Sequence, residues 1–169
     1  MLFRSTNIGD RWIGDRHYWP FFEELNRRRV TVYTHPVAPC CTAGIYEEIK
    51  DSVIEFSTDT ARAIAKLLFT GAATRYPDIR WIFSHGGGTM PFITERFIRA
   101  HAQSKAKGPD PMPGGVLHEL RRLHYDTAQA AHVWAMSSLT KLVPSSQIVF
   151  GTDYPYRTRS EEHTSELQS

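Results

Sequence analysis

Four residues with metal-binding or acid–base side chains each follow a short run of apolar or β-branched residues. They are His35, His85, Asp126 and Asp153. Imidazole nitrogens and carboxylate oxygens are ligands for zinc and similar divalent ions, and a catalytic metal keeps one coordination position open for water or substrate. The sequence contains neither His-x-His nor His-Glu-x-x-His. The spacing alone therefore predicts an incomplete metal site.

The elements predicted around these residues alternate between strands and helices. Strands are predicted at 30–34, 79–83, 123–125 and 148–151, and helices at 18–29, 46–56, 59–69, 92–103, 116–122 and 131–142. Because no hairpin signal separates these strands, the pattern predicts βα units and a parallel sheet. Right-handed crossovers then bring the four strand ends to one rim. Taken alone, Asp126 is more typical of a capping or turn residue.

The segment from Ile82 to Met90 has the pattern of a buried strand that ends in a histidine and three glycines. Glycine has no Cβ, so the backbone at Gly86–Gly88 can adopt more conformations and a ligand can approach it closely. This predicts room for a substrate beside His85. A core strand followed by a flexible turn explains the same residues. An anion-binding α/β module at these glycines is disfavoured, because the sequence has neither G-x-G-x-x-G nor a P-loop lysine.

Composition and charge argue against a nucleic-acid or membrane partner. The 169 residues are 41% hydrophobic, which is enough for one domain with its own core. The net charge is +2 and the longest basic run is Arg27–Arg29, so no nucleic-acid surface is indicated. No apolar run reaches the roughly 20 residues of a bilayer span. Cys40 and Cys41 are adjacent and form no metal or redox motif, and we expect a cytoplasmic protein.

Three motifs resemble those of a known enzyme family. They are TVYTHP at 31–36, FSHGGGTMPF at 83–92 and FGTDYP at 150–155. Their order and type are similar to the amidohydrolase-2 family, in its aminocarboxymuconate-semialdehyde decarboxylase-like branch. The resemblance implies a (β/α)8 TIM barrel with one divalent metal ion, commonly zinc and sometimes manganese.

The same resemblance implies roles for four residues of this chain. His35 and Asp153 match metal ligands of the family, and Asp153 also matches a proton-transferring group. His85 matches the histidine that orients or deprotonates the metal-bound water and acts as acid or base. Arg96 matches an arginine that reaches a neighbouring subunit to hold a substrate carboxylate, which implies a homo-oligomer such as a dimer. An exposed helix charge explains Arg96 equally well.

The chain also departs from the family pattern. The family's first strand carries a His-x-His pair that completes the metal site, and its barrel is about twice as long. We therefore expect residues 1–158 to be the C-terminal half of a barrel, about strands 5–8 with their helices. Residues 159–169 resemble an in-frame translation of a sequencing-library adapter, so we expect a non-native, disordered tail in which His163 is no ligand.

The resemblance predicts non-oxidative decarboxylation of a small carboxylated aromatic or enolic acid by the parent protein. Hydrolysis of a lactone or amide and hydration of a double bond remain alternatives, because the same site serves all three. The chain itself carries two of the four expected ligands and has open sheet edges. We expect it to bind metal weakly, to be inactive and to aggregate.

Overall fold

Five parallel strands form the main sheet. A computed structural model describes residues 2–42, 47–105 and 108–156. The strands are β1 (Leu2–Ser5), β2 (Asn7–Ile8), β3 (Arg11–Trp12), β4 (Thr31–His35), β5 (Arg80–Phe83), β6 (His124–Asp126) and β7 (Ile148–Val149). Of these, β2 and β3 form a separate hairpin, and the other five form the main sheet. The helices are α1 (Trp19–Arg27), α2 (Glu55–Phe69), α3 (Ala72–Arg75), α4 (Met90–Ser104), α5 (Val116–Leu120) and α6 (Val133–Leu142). The sheet order is β1-β4-β5-β6-β7, with every neighbouring pair parallel. The predicted α/β class and parallel sheet are confirmed.

The sheet has one strand more than the sequence pattern predicts. β1 pairs with β4 so that Ser5 lies opposite His35, and the two-stranded hairpin β2–β3 follows it. The sequence pattern indicates at most the stub of a strand at 1–3, because the second half of β1, Arg4 and Ser5, is polar. The hairpin strands are too short to show a period, and only the turn residue Gly9, at φ 62°, marks them.

One hydrophobic core lies between the sheet and its helices. Trp81 and Phe83 of β5 and Ile64, Leu67 and Leu68 of α2 are all buried in it. These helix residues recur at the spacing of one helical face, as expected for an amphipathic helix that packs on the sheet. This packing holds β5, and with it the end of the strand that precedes His85, in the centre of the molecule.

The start of α2 differs from the prediction. The helix begins at Glu55 rather than at Asp59. The predicted helix at 46–56 is wrong over the described residues 47–54, which form bends and a single 3-10 turn. Residues 47–50 are exposed, so an amphipathic helix there would have no apolar surface to pack against.

Asp59 is fully buried inside α2 and fastens the β2–β3 hairpin to that helix. Its carboxylate accepts hydrogen bonds from the Thr6 hydroxyl, from Asn7 Nδ2 at 2.8 Å and from Trp12 Nε1 at 2.5 Å. Three donors compensate the carboxylate for its lost hydration. The Thr6 N–H also donates to the His35 carbonyl at 3.1 Å. The network therefore holds the end of β1 against the end of β4.

The glycines after His85 pack closely against protein, and Gly88 also lines a cavity beside His85, where the sequence predicts room for a substrate. Gly87 and Gly88 have φ angles of 80° and 62°. A Cβ on Gly87 would lie 2.9 Å from the Tyr125 ring, and one on Gly88 would lie 2.1 Å from the Ser57 carbonyl oxygen. Backbone conformation and close packing thus require these glycines.

Replacing Gly88 with alanine is expected to lower the free energy of unfolding by about 3 kcal/mol, because the new methyl group meets the α2 backbone at a φ that side chains rarely adopt. Chemical denaturation measures the change. Gly108, which has no neighbour within 4 Å of a Cβ, provides the control, and its alanine variant should change stability by less than about 0.5 kcal/mol. Equal stabilities for both variants would contradict the expectation.

Two further sequence predictions concern a membrane-spanning segment and the C-terminal tail. Among the described residues, no helix is both long and apolar enough to cross a membrane. The predicted non-native tail at 159–169 lies outside the described residues and stays a prediction.

Candidate metal centre

The four predicted residues all lie at the carboxyl edge of the main sheet. His35 is the last residue of β4 and Asp126 is the last residue of β6. His85 begins a 3-10 turn two residues after β5, and Asp153 follows β7 in the next loop. Because the strands are parallel, these positions share one rim, as the sequence predicts.

Three of the four residues converge into one cluster. The candidate ligand atoms of His35, His85 and Asp153 all lie within 4.8 Å of one another. Asp153 Oδ1 is 3.4 Å from His35 Nε2 and 3.5 Å from His85 Nε2. A tetrahedral ion whose bonds are about 2.0–2.1 Å long spaces its ligand atoms about 3.3 Å apart. The two distances between aspartate and histidine therefore fit a small divalent ion.

The ring of His35 is oriented to offer a lone pair to this cluster. His35 Nδ1 lies 2.8 Å from the Pro36 carbonyl oxygen. A carbonyl oxygen only accepts, so Nδ1 carries the proton and Nε2 of the neutral ring bears a lone pair. That lone pair and Asp153 Oδ1 face each other at 3.4 Å. A cation between two such acceptors satisfies both.

His85 is held in place by its backbone and kept neutral by its surroundings. It adopts a φ of 55°, and its N–H donates to Asp126 Oδ1 at 2.7 Å. Burial lowers the pKa of the His85 imidazole below its ordinary value, although the Asp126 carboxylate opposes the shift. A neutral imidazole is the form that binds a metal or accepts a proton. The geometry thus places His85 where it can be a ligand as well as an acid or base.

Asp126 lies beside the cluster and positions His85. Its buried carboxylate accepts hydrogen bonds from the Tyr33 hydroxyl, the His85 N–H and the Ala128 N–H. Burial raises the pKa of Asp126 and is also the main cause of the raised pKa of Tyr33, so the hydroxyl stays protonated as a donor. Sequence patterns give no sign of Tyr33, because its role depends on pairing between strands.

Gln129 orients the Asp153 carboxylate and is absent from the sequence-based candidates. Its Nε2 donates to Asp153 Oδ2, which leaves Oδ1 facing both histidines. His85, Gln129 and Asp153 are also three of the four described non-glycine residues with positive φ. Such conformations cost energy and collect at functional sites. In the sequence, the only sign of a role for Gln129 is its position in the loop after Asp126.

Replacing Gln129 with alanine is expected to weaken divalent-metal binding about tenfold, because Asp153 loses the donor that orients it. Manganese titration followed by electron paramagnetic resonance (EPR) measures the affinity. The exposed Gln103 of α4 provides a control, and its alanine variant should bind manganese as the unsubstituted chain does. Unchanged affinity in the Gln129 variant would remove it from the site.

Two cavities of about 470 Å³ each flank the cluster. They share Ser52, Phe56 and Gln129. The first cavity is further lined by His35, Pro36, Val37, Lys50, Asp153 and Tyr156, and the second by Val53, Ser57, His85, Gly88, Thr89, Ala130, His132 and Ala135. Volumes of this size accommodate small organic ligands.

Arg96 lies apart from the cluster, exposed on α4. It lines neither of the two cavities. Its predicted role concerns the site of a neighbouring subunit, so the position within one chain does not test it. The contact with a substrate carboxylate stays a prediction.

Comparison with known proteins identifies the family. The family model described as Amidohydrolase matches residues 2–168. The chain belongs to the amidohydrolase family. This amidohydrolase is 30% identical over 163 residues to the 6-methylsalicylic acid decarboxylase of Aspergillus aculeatus, covering 94% of this chain and 48% of that one. The predicted decarboxylase branch is confirmed.

Solved structures show the same fold. A 5-carboxyvanillate decarboxylase of Novosphingobium aromaticivorans, complexed with manganese and 4-hydroxy-3-methoxy-5-nitrobenzoic acid, aligns with a TM-score of 0.82 at 16% identity, over 94% of this chain and 48% of that one. A dihydroxybenzoic acid decarboxylase of Polaromonas, with bound manganese and the inhibitor 2-nitroresorcinol, aligns with a TM-score of 0.74 at 22% identity, over 88% and 46%. The amidohydrolase chain thus spans about half the length of these relatives.

Proposed function

We propose that the protein carrying this chain is a divalent-metal-dependent decarboxylase of small hydroxylated aromatic acids. The convergence of His35, His85 and Asp153 within 4.8 Å at the rim of the sheet carries the proposal. The chain would supply the C-terminal part of a (β/α)8 barrel, with these residues on its strands five, six and eight. The names of the relatives support decarboxylation of aromatic acids as the reaction class.

His35, His85 and Asp153 would hold the ion. Two imidazoles and one carboxylate suit zinc and manganese alike, and the manganese in two related structures favours manganese. When bound, the ion supplies Lewis acidity for substrate oxygens. The family's His-x-His strand would supply the ligands that this chain lacks.

The reaction replaces a carboxylate on the substrate with a proton. The bond between ring carbon and carboxyl carbon breaks, its electron pair stays on the ring carbon, a proton joins that carbon and CO2 leaves. Asp153 would transfer this proton, and His85 would do so in the form in which its Nε2 does not bind the ion. Phe56, whose ring meets that of His35 edge to face at 6.0 Å, would give the substrate ring an apolar wall.

Product analysis tests the proposal. We expect the manganese-loaded, full-length protein that carries this chain to convert 6-methylsalicylate into equal amounts of CO2 and 3-methylphenol. The 169-residue chain alone is expected to give neither product. If 6-methylsalicylate and dihydroxybenzoates stay unchanged while a lactone is converted into its acid, the proposed decarboxylation is wrong and the reaction is hydrolysis.

A further inference from the structure

The first of the two cavities beside the cluster differs from the second in charge. Among the described residues that line it, Lys50 is the one lysine or arginine. The second cavity, of equal volume, has neither a lysine nor an arginine among its described lining residues. Of the two cavities, only the first thus offers an anionic ligand a lysine or arginine from the described part of the chain.

The ammonium group of Lys50 is available to a ligand. Lys50 is exposed and forms no ion pair with any carboxylate of the described chain, whereas Lys66 and Lys105 are paired with Asp15 and Asp110. A lysine ammonium offers three hydrogen-bond donors at the end of a flexible stem. Lys50 directly precedes the 3-10 turn Asp51–Val53, and it lines the first cavity together with Ser52 of that turn.

The other walls of this cavity suit an aromatic acid. Phe56 provides an apolar ring, and the Ser52 hydroxyl and the Gln129 side chain add polar groups. The Asp153 carboxylate repels an anion unless a divalent ion is bound to it. The loaded cluster and a second cation that lines the same cavity would together favour a carboxylated ligand.

We propose that Lys50 is the anchor for the substrate carboxylate, and that it selects hydroxylated aromatic acids for the first cavity and sets their orientation. This inference rests on the proposed function, because the ion at the cluster is needed to offset Asp153. It assigns the carboxylate to a residue of the same chain, whereas Arg96 would serve a neighbouring subunit.

The test compares an acid with its decarboxylated counterpart. Calorimetric titration of the manganese-saturated 169-residue chain with 6-methylsalicylate and with 3-methylphenol gives both dissociation constants. For Lys50→Gln we expect the dissociation constant of 6-methylsalicylate to rise about tenfold and that of 3-methylphenol to stay within about twofold. Lys50→Arg keeps the charge and should restore most of the acid binding.

Lys141 of α6 is exposed, and Lys141→Gln, the matched control, should leave all three affinities unchanged, including that for manganese. The inference would be overturned if the Lys50→Gln variant and the unsubstituted chain bound the acid equally well. It would also be overturned if the substitution weakened the binding of acid and phenol by the same factor, or if the unsubstituted chain bound no measurable acid. Failure of the unsubstituted chain to bind manganese would contradict a metal site at His35, His85 and Asp153, the observation on which the proposed function and this inference both rest. If manganese binds but Lys50→Gln leaves the affinity for 6-methylsalicylate unchanged, this inference is overturned and the proposed function is not.

Discussion

Replacing Asp59 with alanine is expected to lower the free energy of unfolding by about 4 kcal/mol. The change removes a fully buried carboxylate and leaves the donors of Thr6, Asn7 and Trp12 without their acceptor. Each buried donor that loses its partner costs about 1–3 kcal/mol. Urea denaturation followed by circular dichroism gives the difference.

The exposed Asp78 provides the control, since its alanine variant should stay within about 0.5 kcal/mol of the unsubstituted chain. Asp59→Asn keeps the shape but presents an NH2 group to the same donors, so we expect an intermediate loss. A loss below about 1 kcal/mol for Asp59→Ala would show that the hairpin is not fastened through this carboxylate.

Replacing Asp153 with asparagine is expected to weaken manganese binding by at least about a hundredfold. Loss of a group that only supports a ligand costs about 10–100-fold in affinity, and here a ligand itself loses its charge. The neutral amide also removes the one carboxylate from the cluster of His35, His85 and Asp153. Competition against a fluorescent chelator measures the affinity.

Asp78→Asn makes the same change of charge on the surface and should leave manganese affinity unchanged. Asp153 lies in the loop after β7 and does not belong to the hydrophobic core, and asparagine keeps the shape of its side chain, so the variant should also keep the unfolding free energy of the metal-free chain within about 1 kcal/mol. Retained manganese affinity in Asp153→Asn would exclude this carboxylate as a ligand.

The sequence predicts the sheet and its rim because strand–helix alternation is a local pattern. A run such as 79–83, followed two residues later by His85, indicates both a strand and the place where the chain leaves the sheet. The parallel arrangement then follows from the lack of hairpins between the strands. For this reason, the shared rim of His35, His85 and Asp153 could be foreseen without coordinates.

The supporting residues could not be foreseen, because their roles depend on contacts between distant segments. Asp59 resembles a helix cap in the sequence, but the hairpin residues that bind it lie more than 40 positions away. Tyr33 reaches Asp126 across the sheet. Gln129 is one polar loop residue among many until Asp153 is placed beside it. The three consecutive glycines at 86–88 likewise give no sign that Gly88 packs against Ser57.

Titration of the 169-residue chain with manganese tests most directly whether His35, His85 and Asp153 form a metal site. We predict one ion per chain, observed by EPR, with a dissociation constant of about 0.1 mM, or about −5.5 kcal/mol, as expected for an incomplete ligand set. The ion should be lost in His35→Gln, His85→Gln and Asp153→Asn alike. Binding that never saturates at one equivalent, or that survives all three substitutions, would contradict a metal site at this cluster.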